Sequence, residues 1–569
     1  MATKKRVKIK VGRLLILLLL LALALFLMVK IISLPLKLIG SKDSDLKGYI
    51  SSITKSAQLY NEEFKEDNTI TRGEEVEVSS EKYKDEYGKE YYKIQSKNNK
   101  GKYILVDNYA SDIKDSIKEK EMYVRTYVTV YKDDSSSAIE STIDKGKKLE
   151  VLGFDKINAD GSVNKYKIKY KDITGYVYGK YLVDNEADAL LNYDEENTYK
   201  LHANCSDAYD VGTAENLDFY PVEKPKFEDN VMPEEVHALY LNAAVVADVD
   251  SYIKLADPTG INAFVIDIKD NTVPGYDSPV MRKYSKTNAD EAISDMETYK
   301  KAVKKLQDKG YYVIGRITMF KDSFLVEDHP EVALIDTETG KPFLHNGSYW
   351  PSAFNRYVWE FNVELAKEAV TEIGFNEIQF DYVRFPDGTY SYESRGLIDM
   401  QNEYNEEKAQ AIQKFLMYAT DEIHSVGAYV SADVFGESAH NYVTGYGQYW
   451  AAISNVVDVI SAMPYPDHFN KYDYDFDVPV WTVPYDLLCY WAEYVVNRQK
   501  SIPTPAIVRT WIQAYDAIKS PQVEYDSEKI KDQIDALKDS GLTGGYMTWN
   551  SASSLTKYGE IKSAFGKDK

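Results

Sequence analysis

The sequence predicts an α/β chain whose C-terminal part, 236–562, is a (β/α)8 barrel, preceded by a small all-β region and an N-terminal transmembrane helix. Three observations predict it. An apolar run follows a basic head at the start of the chain, short alternating runs fill 75–184, and eight apolar, β-branched runs then alternate with amphipathic helical stretches.

The head, residues 1–13, carries Lys4, Lys5, Arg6, Lys8, Lys10 and Arg13 and no acid, and Leu14 to Val29 is apolar throughout. Beyond Lys30 a second apolar stretch, Ile31 to Ile39, is interrupted by Ser33, Pro35 and Lys37. With Lys30 reaching toward the interface, the segment approaches the ~20 residues that cross a bilayer. Positive charge stays inside, so 1–40 is expected to be a single-pass anchor with a cytoplasmic N-terminus and an exported body. A cleaved signal peptide is the alternative; the run exceeds the ~7–15 residues of such a core, and no A-x-A-like site follows it.

Residues 41–74 are polar, with helix-like spacing of Leu46, Ile50, Ile53 and Leu59, and read as a stalk or short helix. From 75 to 184 the runs VEV (76–78), YYKI (91–94), YVTVY (127–131), LEVLGF (149–154), YKIKY (166–170) and GYVYGKYL (175–182) alternate between turns rich in Gly, Asp, Asn and Lys, the mark of small β-barrels or sandwiches. NADG (158–161) reads as a hairpin tip, since the full ligand spacing of a cation loop is missing. Residues 185–235, with Pro221, Pro225 and Pro233 near the end, read as a linker.

The eight runs of the barrel are HALYLNAAVV (237–246), INAFVIDIKD (261–270), YYVIGRITMF (311–320), FNEIQFDYVRF (375–385), AYVSADVFG (428–436), VDVISAMPY (457–465), PAIVRTWIQ (505–513) and GGYMTWN (544–550). Helices are expected at 291–309, 357–373, 402–425, 484–499 and 526–540. An eightfold strand–helix alternation points to a closed parallel barrel. An open doubly wound sheet is the alternative, but no Gly-rich phosphate turn follows the first strand.

The formal charge of −22 sits on the body of the chain, because the head is basic. Such a body repels phosphate backbones, which argues against nucleic acid and for a neutral or cationic ligand. Cys205 and Cys489 lie far apart and outside any CxxC; unpaired thiols are expected, with a disulfide between the two as the alternative. The seven histidines show no HxH or HExxH spacing, so no metal or other cofactor is expected, and no GxSxG marks an acyl hydrolase.

Barrel chemistry sits at the C-terminal ends of the strands. There the sequence gathers Asp267, Lys269, Asp270, Arg316, Lys321, Asp322, Asp381, Tyr382, Arg384, Asp433, Glu437, Tyr465, Asp467, His468, Arg509, Gln513 and Asn550. Some would pair with one another across the barrel mouth, Asp381 with Arg384 being one expected pair. All seven tryptophans fall between 350 and 549, and Trp350, Trp511 and Trp549 are candidates to face sugar rings. Glycosidic cleavage needs two carboxyl groups, one to protonate the leaving oxygen and one to act as nucleophile or base. Asp381 and Asp433 end adjacent strands about 4.8 Å apart and are the expected pair. A separation beyond ~10 Å, or an ion pair closing one of them, would favour glycan binding over hydrolysis.

Two resemblances add to this reading. From Arg125 through KGKKLEVLGF to YKIKYKDITGYVYGKYL, about 121–184, the chain resembles bacterial SH3 domains, with Tyr166 where that family usually has tryptophan. Across 237–560, NAFVIDIKD, GRITMFKD, GFNEIQFDYVRFP, SADVFG, YPDHF and WIQ resemble a family of glycoside-hydrolase-like TIM barrels known as a domain of unknown function. That resemblance implies a carbohydrate-active barrel with Asp381 and Asp433 at motif positions. The chain departs from the family at Asp467, where serine is usual and which weakens Asp467 as an acid, and at Thr510, where proline is usual. The expectation is a surface-anchored glycoside hydrolase acting on peptidoglycan or another extracellular polysaccharide, the alternative being a non-catalytic wall-binding protein.

Overall fold

The structure, a computed structural model, describes residues 45–191, 193 and 216–566. The expected membrane segment and Cys205 lie outside them. Among the described residues no helix is long and apolar enough to cross a membrane, and Cys489 is a free thiol.

The chain divides into two compact units: the described residues up to Met122 with Lys148–Asp184, and Tyr123–Lys147 with the described residues from Asn185 onward. In the first unit seven antiparallel strands, from Leu46–Ile50 to Tyr109–Ala110, form one sheet. Its core is Ile50, Ala57, Leu59, Ile70, Val76, Val78, Ile94 and Ile104. The helix-like spacing of Leu46, Ile50, Ile53 and Leu59 therefore makes no stalk helix. Ala57 and Leu59 alternate into the sheet's core, while Ile53 sits 57% exposed in a turn. Lys148–Phe154, Lys165–Tyr170 and Ile173–Tyr178 form an antiparallel meander. NADG closes as a hairpin tip, Asn158 N donating to Ser162 O. Tyr166, at the position of the SH3 tryptophan, is buried, and its hydroxyl donates to Glu119, which also pairs with buried Arg72 at 2.5 Å. A ring so enclosed cannot line a binding groove.

The second unit is built on nine parallel strands: β1 (Val236–Leu241), β2 (Ala263–Asp270), β3 (Tyr312–Thr318), β4 (Glu377–Asp381), β5 (Tyr429–Phe435), β6 (Val459–Met463), β7 (Ile507–Val508), β8 (Thr510–Gln513) and β9 (Gly545–Trp549). They hydrogen-bond in the order β7-β6-β5-β4-β3-β2-β1-β9-β8. The two ends of that path are consecutive in the chain and separated by Arg509 alone, so the sheet curls into a nearly closed barrel. Parallel strands covered on both faces are buried at almost every residue, which is why they read as continuous apolar runs. Alternation still decides which side faces in. Val236, Ala238 and Tyr240, Ala263 and Val265, Tyr312 and Ile314, Tyr429, Trp511 and Met547 fill the interior. The residues between them face the helices. Gly315 is one, and a Cβ there would lie 2.4 Å from Ile268 and 3.0 Å from Phe375.

The main helices are α1 (Val249–Ala256), α2 (Met296–Asp308), α3 (Arg356–Glu368), α4 (Lys408–His424), α5 (Pro484–Gln499), α6 (Ser527–Asp539) and α7 (Leu555–Ile561). Side-chain caps start several of them: Asp295 before α2, Asn355 before α3, Asp526 before α6 and Ser554 before α7. The expected helix at 402–425 begins only at Lys408, where Glu407 and Gln410 form a capping box. Residues 216–235, read as linker, are strapped to the barrel: Leu217, Phe219 and Val222 are buried, and Lys224 Nζ donates to Asn455 O at 3.1 Å and Val457 O at 2.5 Å.

Candidate active site

In β2 to β5 the inward alternation ends in a polar group. After Ala263 and Val265 comes Asp267, after Tyr312 and Ile314 comes Arg316, after Glu377 and Gln379 comes Asp381, and after Tyr429 and Ser431 comes Asp433. The pairings Gln379↔Ser431 and Phe380↔Ala432, carried one residue on, set Asp381 level with Asp433 at the C-terminal end of the barrel. They line a cavity of about 350 Å³ together with Arg316, Tyr382, Arg384, Asp387, Phe435, Met463, Tyr465, His468, Trp511 and Trp549.

The two carboxyl groups have opposite surroundings. Asp381 Oδ2 accepts from Arg316 Nε at 3.1 Å and Nη2 at 2.6 Å, and its Oδ1 accepts from Tyr382 N at 2.6 Å. Tyr382 follows with a left-handed φ of +51°, a turn that folds the chain back beside the carboxylate. Asp433 is only 1% exposed. Its Oδ1 accepts from Trp511 Nε1 at 2.8 Å, and its Oδ2 has no hydrogen-bond partner among the described residues. Burial, and then the negative charge of Asp381, push the Asp433 carboxyl well above the usual carboxylate range, outweighing the Trp511 bond and Arg316. One carboxylate is ion-paired while its neighbour favours the protonated form.

Arg316 organises the acidic side of this centre. Its Nη1 lies 2.7 Å from Asp267 and 3.4 Å from Asp270, so three carboxylates share one buried guanidinium. Asp267 also accepts from Tyr240 OH. Burial pushes the Asp267 carboxyl up to about 6, against the pull of Arg316. Trp549 lies T-shaped against Trp511 at 5.6 Å, and the Arg316 guanidinium sits 5.4 Å from the Trp549 ring. A second cavity, of about 790 Å³, shares Asp387, Phe435, Met463 and His468 with the first and extends it outward past Glu437 and His440.

Residues 237–555 match the model of the family described as "Putative glycosyl hydrolase domain". This chain belongs to that family. The match covers more than half of the chain and, but for Val236 at the start of β1, the nine barrel strands. Among solved structures the chain is similar to a hypothetical protein from Ruminiclostridium thermocellum, with 33% identity, 34% of this chain and 97% of that one covered, and a TM-score of 0.29. It is also similar to the PgaB (BpsB) glycoside hydrolase domain from Bordetella bronchiseptica (11% identity, 59% and 100% covered, TM-score 0.43). A third similar structure is a GH18 chitinase from Pseudoalteromonas aurantia (13% identity, 58% and 99% covered, TM-score 0.35). No curated protein matches the chain.

In this glycosyl hydrolase domain several residues expected at the site serve the scaffold instead. Lys269 and Asp322 form a fully buried ion pair at 2.5 Å behind the cavity, with Asn288 completing Asp322. Asp267 is enclosed by Tyr240 and Arg316 and orients the latter. Arg509 turns into the barrel at the opposite end of β4, pairing with Glu377 at 2.7 Å. Gln513 is spent on Asp467 N and Tyr515 O, and Asn550 on Ala514 O and Ser554 N. Trp350 is buried behind the cavity wall, its ring 5.8 Å from Tyr382 and 5.0 Å from the Arg384 guanidinium. The expected Asp381–Arg384 pair does not form: Asp381 goes to Arg316, and Arg384 reaches Asp387 at 3.1 Å. Lys321 lies over the Tyr382 ring at 4.8 Å, its pKa lowered by burial. Glu437 lines the outer cavity, where Tyr442 and Tyr446 donate to it at 2.9 and 2.8 Å.

The structure also brings in Asp387, His440, Tyr442 and Tyr474, which sequence reasoning missed. Asp387, in the loop after β4, carried the strand-end signal used elsewhere; Tyr474 lies in a loop with none. Among the described residues no group of three or more His, Cys, Asp or Glu is arranged to hold a metal ion.

Proposed function

We propose that this chain is a membrane-anchored, extracytoplasmic glycoside hydrolase acting on a cell-wall or other extracellular polysaccharide, its nine strands being an eightfold (β/α)8 TIM barrel with the seventh strand broken at Arg509. Asp433 is the general acid that protonates the leaving glycosidic oxygen, and Asp381 is the nucleophile or base. The observation that carries this reading is the asymmetry of two adjacent carboxyl groups: one buried with an unpartnered oxygen and a raised pKa, the other an ion-paired carboxylate held on both oxygens. Environments that push two carboxyl groups apart in this way divide acid from base. Trp549 and Tyr382, both half-buried, offer faces to a sugar ring, and Arg384 and His468 offer donors to its hydroxyls.

A second reading, a barrel that grips glycan without cutting it, is favoured by the Arg316–Asp381 ion pair, which occupies one oxygen of the proposed nucleophile or base. Reducing-sugar release from purified cell wall and exopolysaccharide separates the two. Release by the wild type that falls by about 10²-fold or more in Asp381→Asn and in Asp433→Asn supports hydrolysis, since acid–base groups contribute ~10²–10⁴-fold. Cosedimentation with the polymer and no release supports binding.

A further inference from the structure

The outer cavity is larger than the catalytic one, and its walls are of a different kind. Around it His440 and Tyr442 stack at 5.7 Å with 12° between planes, and Tyr474 lies 5.8 Å from His440 at 25°. Tyr474 in turn stacks on Tyr494 of α5 at 5.7 Å and 28°, with Tyr490 5.0 Å away. Tyr490 and Tyr494 remain 44% and 36% exposed, so the aromatic surface continues out of the cavity.

The loop that delivers Tyr474 is held in an uncommon conformation. Tyr474 and Asp475 both have left-handed φ values, +59° and +62°, and neither is glycine. Such backbone is uncommon outside glycine and persists where the surroundings impose it, commonly at ligand sites. The result is a broad ring at the cavity wall beside carboxylates that are already oriented. Glu437 is exposed and fixed by two tyrosine hydroxyls, while Asp387 and Asp473 also face the space. Lys519, the cavity's lysine, has its ammonium directed at Phe469 O at 2.8 Å. Flat aromatic faces and fixed acceptors suit the C–H faces and hydroxyls of pyranose rings. The excess of carboxylates disfavours a polymer carrying its own carboxylates or phosphates.

We propose that the outer cavity is a distal glycan subsite, holding a run of uncharged sugar residues beyond the point of cleavage, with Tyr474 as its stacking platform. This rests on the assignment of the inner cavity as the glycan-cleaving site, and it makes the substrate an extended chain rather than a terminal sugar. Occupancy by the same chain follows from continuity, since four residues belong to both cavities.

The test is affinity electrophoresis of the full chain through gels containing hydroxyethylcellulose, laminarin, glycol chitin, soluble starch or polygalacturonate, with reducing-sugar release measured on the same polymers. At least one uncharged polymer should retard the wild type, with a dissociation constant weakened about 5–10-fold in Tyr474→Ala and restored in Tyr474→Phe, while polygalacturonate should not retard it. The proposal is overturned if no uncharged polymer retards the chain, if polygalacturonate retards it most, or if Tyr474→Ala binds like the wild type. It is overturned too if Tyr474→Phe fails to restore binding while melting at the wild-type temperature. Tyr474-dependent retardation without sugar release would keep the subsite and remove the hydrolase. Release abolished by Asp433→Asn yet indifferent to Tyr474→Ala would do the reverse.

Discussion

At Asp433 the needs of folding and of chemistry conflict. The native carboxyl titrates well above the ~3.9 of an unfolded aspartate, chiefly because it is buried. Between those two values the native chain holds a proton that the unfolded chain has lost, so stability falls as pH rises through that window. At neutral pH Asp433 is therefore a cost. Asparagine keeps an acceptor for Trp511 Nε1 and carries no charge at any pH. Asp433→Asn should thus melt higher than the wild type at pH 7, by about 2–4 °C for each kcal/mol recovered, and the gain should shrink toward pH 4. Calorimetry at the two pH values checks it; an equal or lower melting temperature at pH 7 would mean a charged, well-satisfied Asp433. Sugar release should decline on the alkaline side as the same group loses its proton. The sequence located this residue through inward alternation, the need for two carboxyl groups on adjacent strands, and a family motif. It could not tell that Lys269 and Gln513 serve neighbours, because a polar group at a strand end can serve a ligand or a neighbour, and packing decides between them.

At the scale of elements, the hairpin of Val128–Tyr131 and Ile139–Ile143 belongs with the barrel's unit and is fastened to its helices. Ser137 Oγ donates to Glu422 Oε2 at 2.6 Å, where Lys367 Nζ also lies at 2.5 Å, and Tyr418 OH donates to Ser137 O at 2.7 Å. Ile139 N donates to Glu360 Oε1 of α3 at 2.6 Å. These contacts explain why α4 is buried along nearly its whole length, more than one amphipathic stripe requires. Glu422→Ala would leave Lys367 and Ser137 without their shared acceptor. The expected loss is about 2–3 kcal/mol, below the ~3–5 of a fully buried pair because Lys367 is 21% exposed. Ser137→Ala should cost only about 1 kcal/mol. Urea unfolding measures both, and a Glu422→Ala loss under ~1 kcal/mol would mean the hairpin is held elsewhere. Strand runs and helix periods made the barrel legible, since each is written in a dozen neighbouring residues. The hairpin's attachment was not, because Ser137 and Glu422 stand 285 positions apart. The first strands were misread for a related reason: Leu46 and Ile50 match helical spacing, and only the pairing of Leu46–Tyr49 with 75–78 and of Ile50 with Tyr109 fixes them as sheet.

For the whole molecule, charge and anchor have to be read together. A net charge of −22, with basic residues 4–13 preceding an apolar run, is what the proposed anchor requires: its head inside and its acidic body outside. Hydrophobic burial of a run that long is effectively irreversible, whereas a peripheral chain this acidic would be repelled by anionic lipid and leave at high pH. The full chain should therefore stay in the membrane pellet through a sodium carbonate wash and be released by detergent. Protease added to intact cells should digest the barrel while an epitope placed before Lys4 survives. Replacing Leu17, Leu19 and Leu21 with Asp should move the chain to the soluble fraction, since an acid at the centre of a span costs about 2.5–3.5 kcal/mol per residue. Release by carbonate, or loss of the N-terminal epitope to protease, would take away both the anchor and the extracellular polysaccharide as substrate, because a barrel facing the cytoplasm would not meet one.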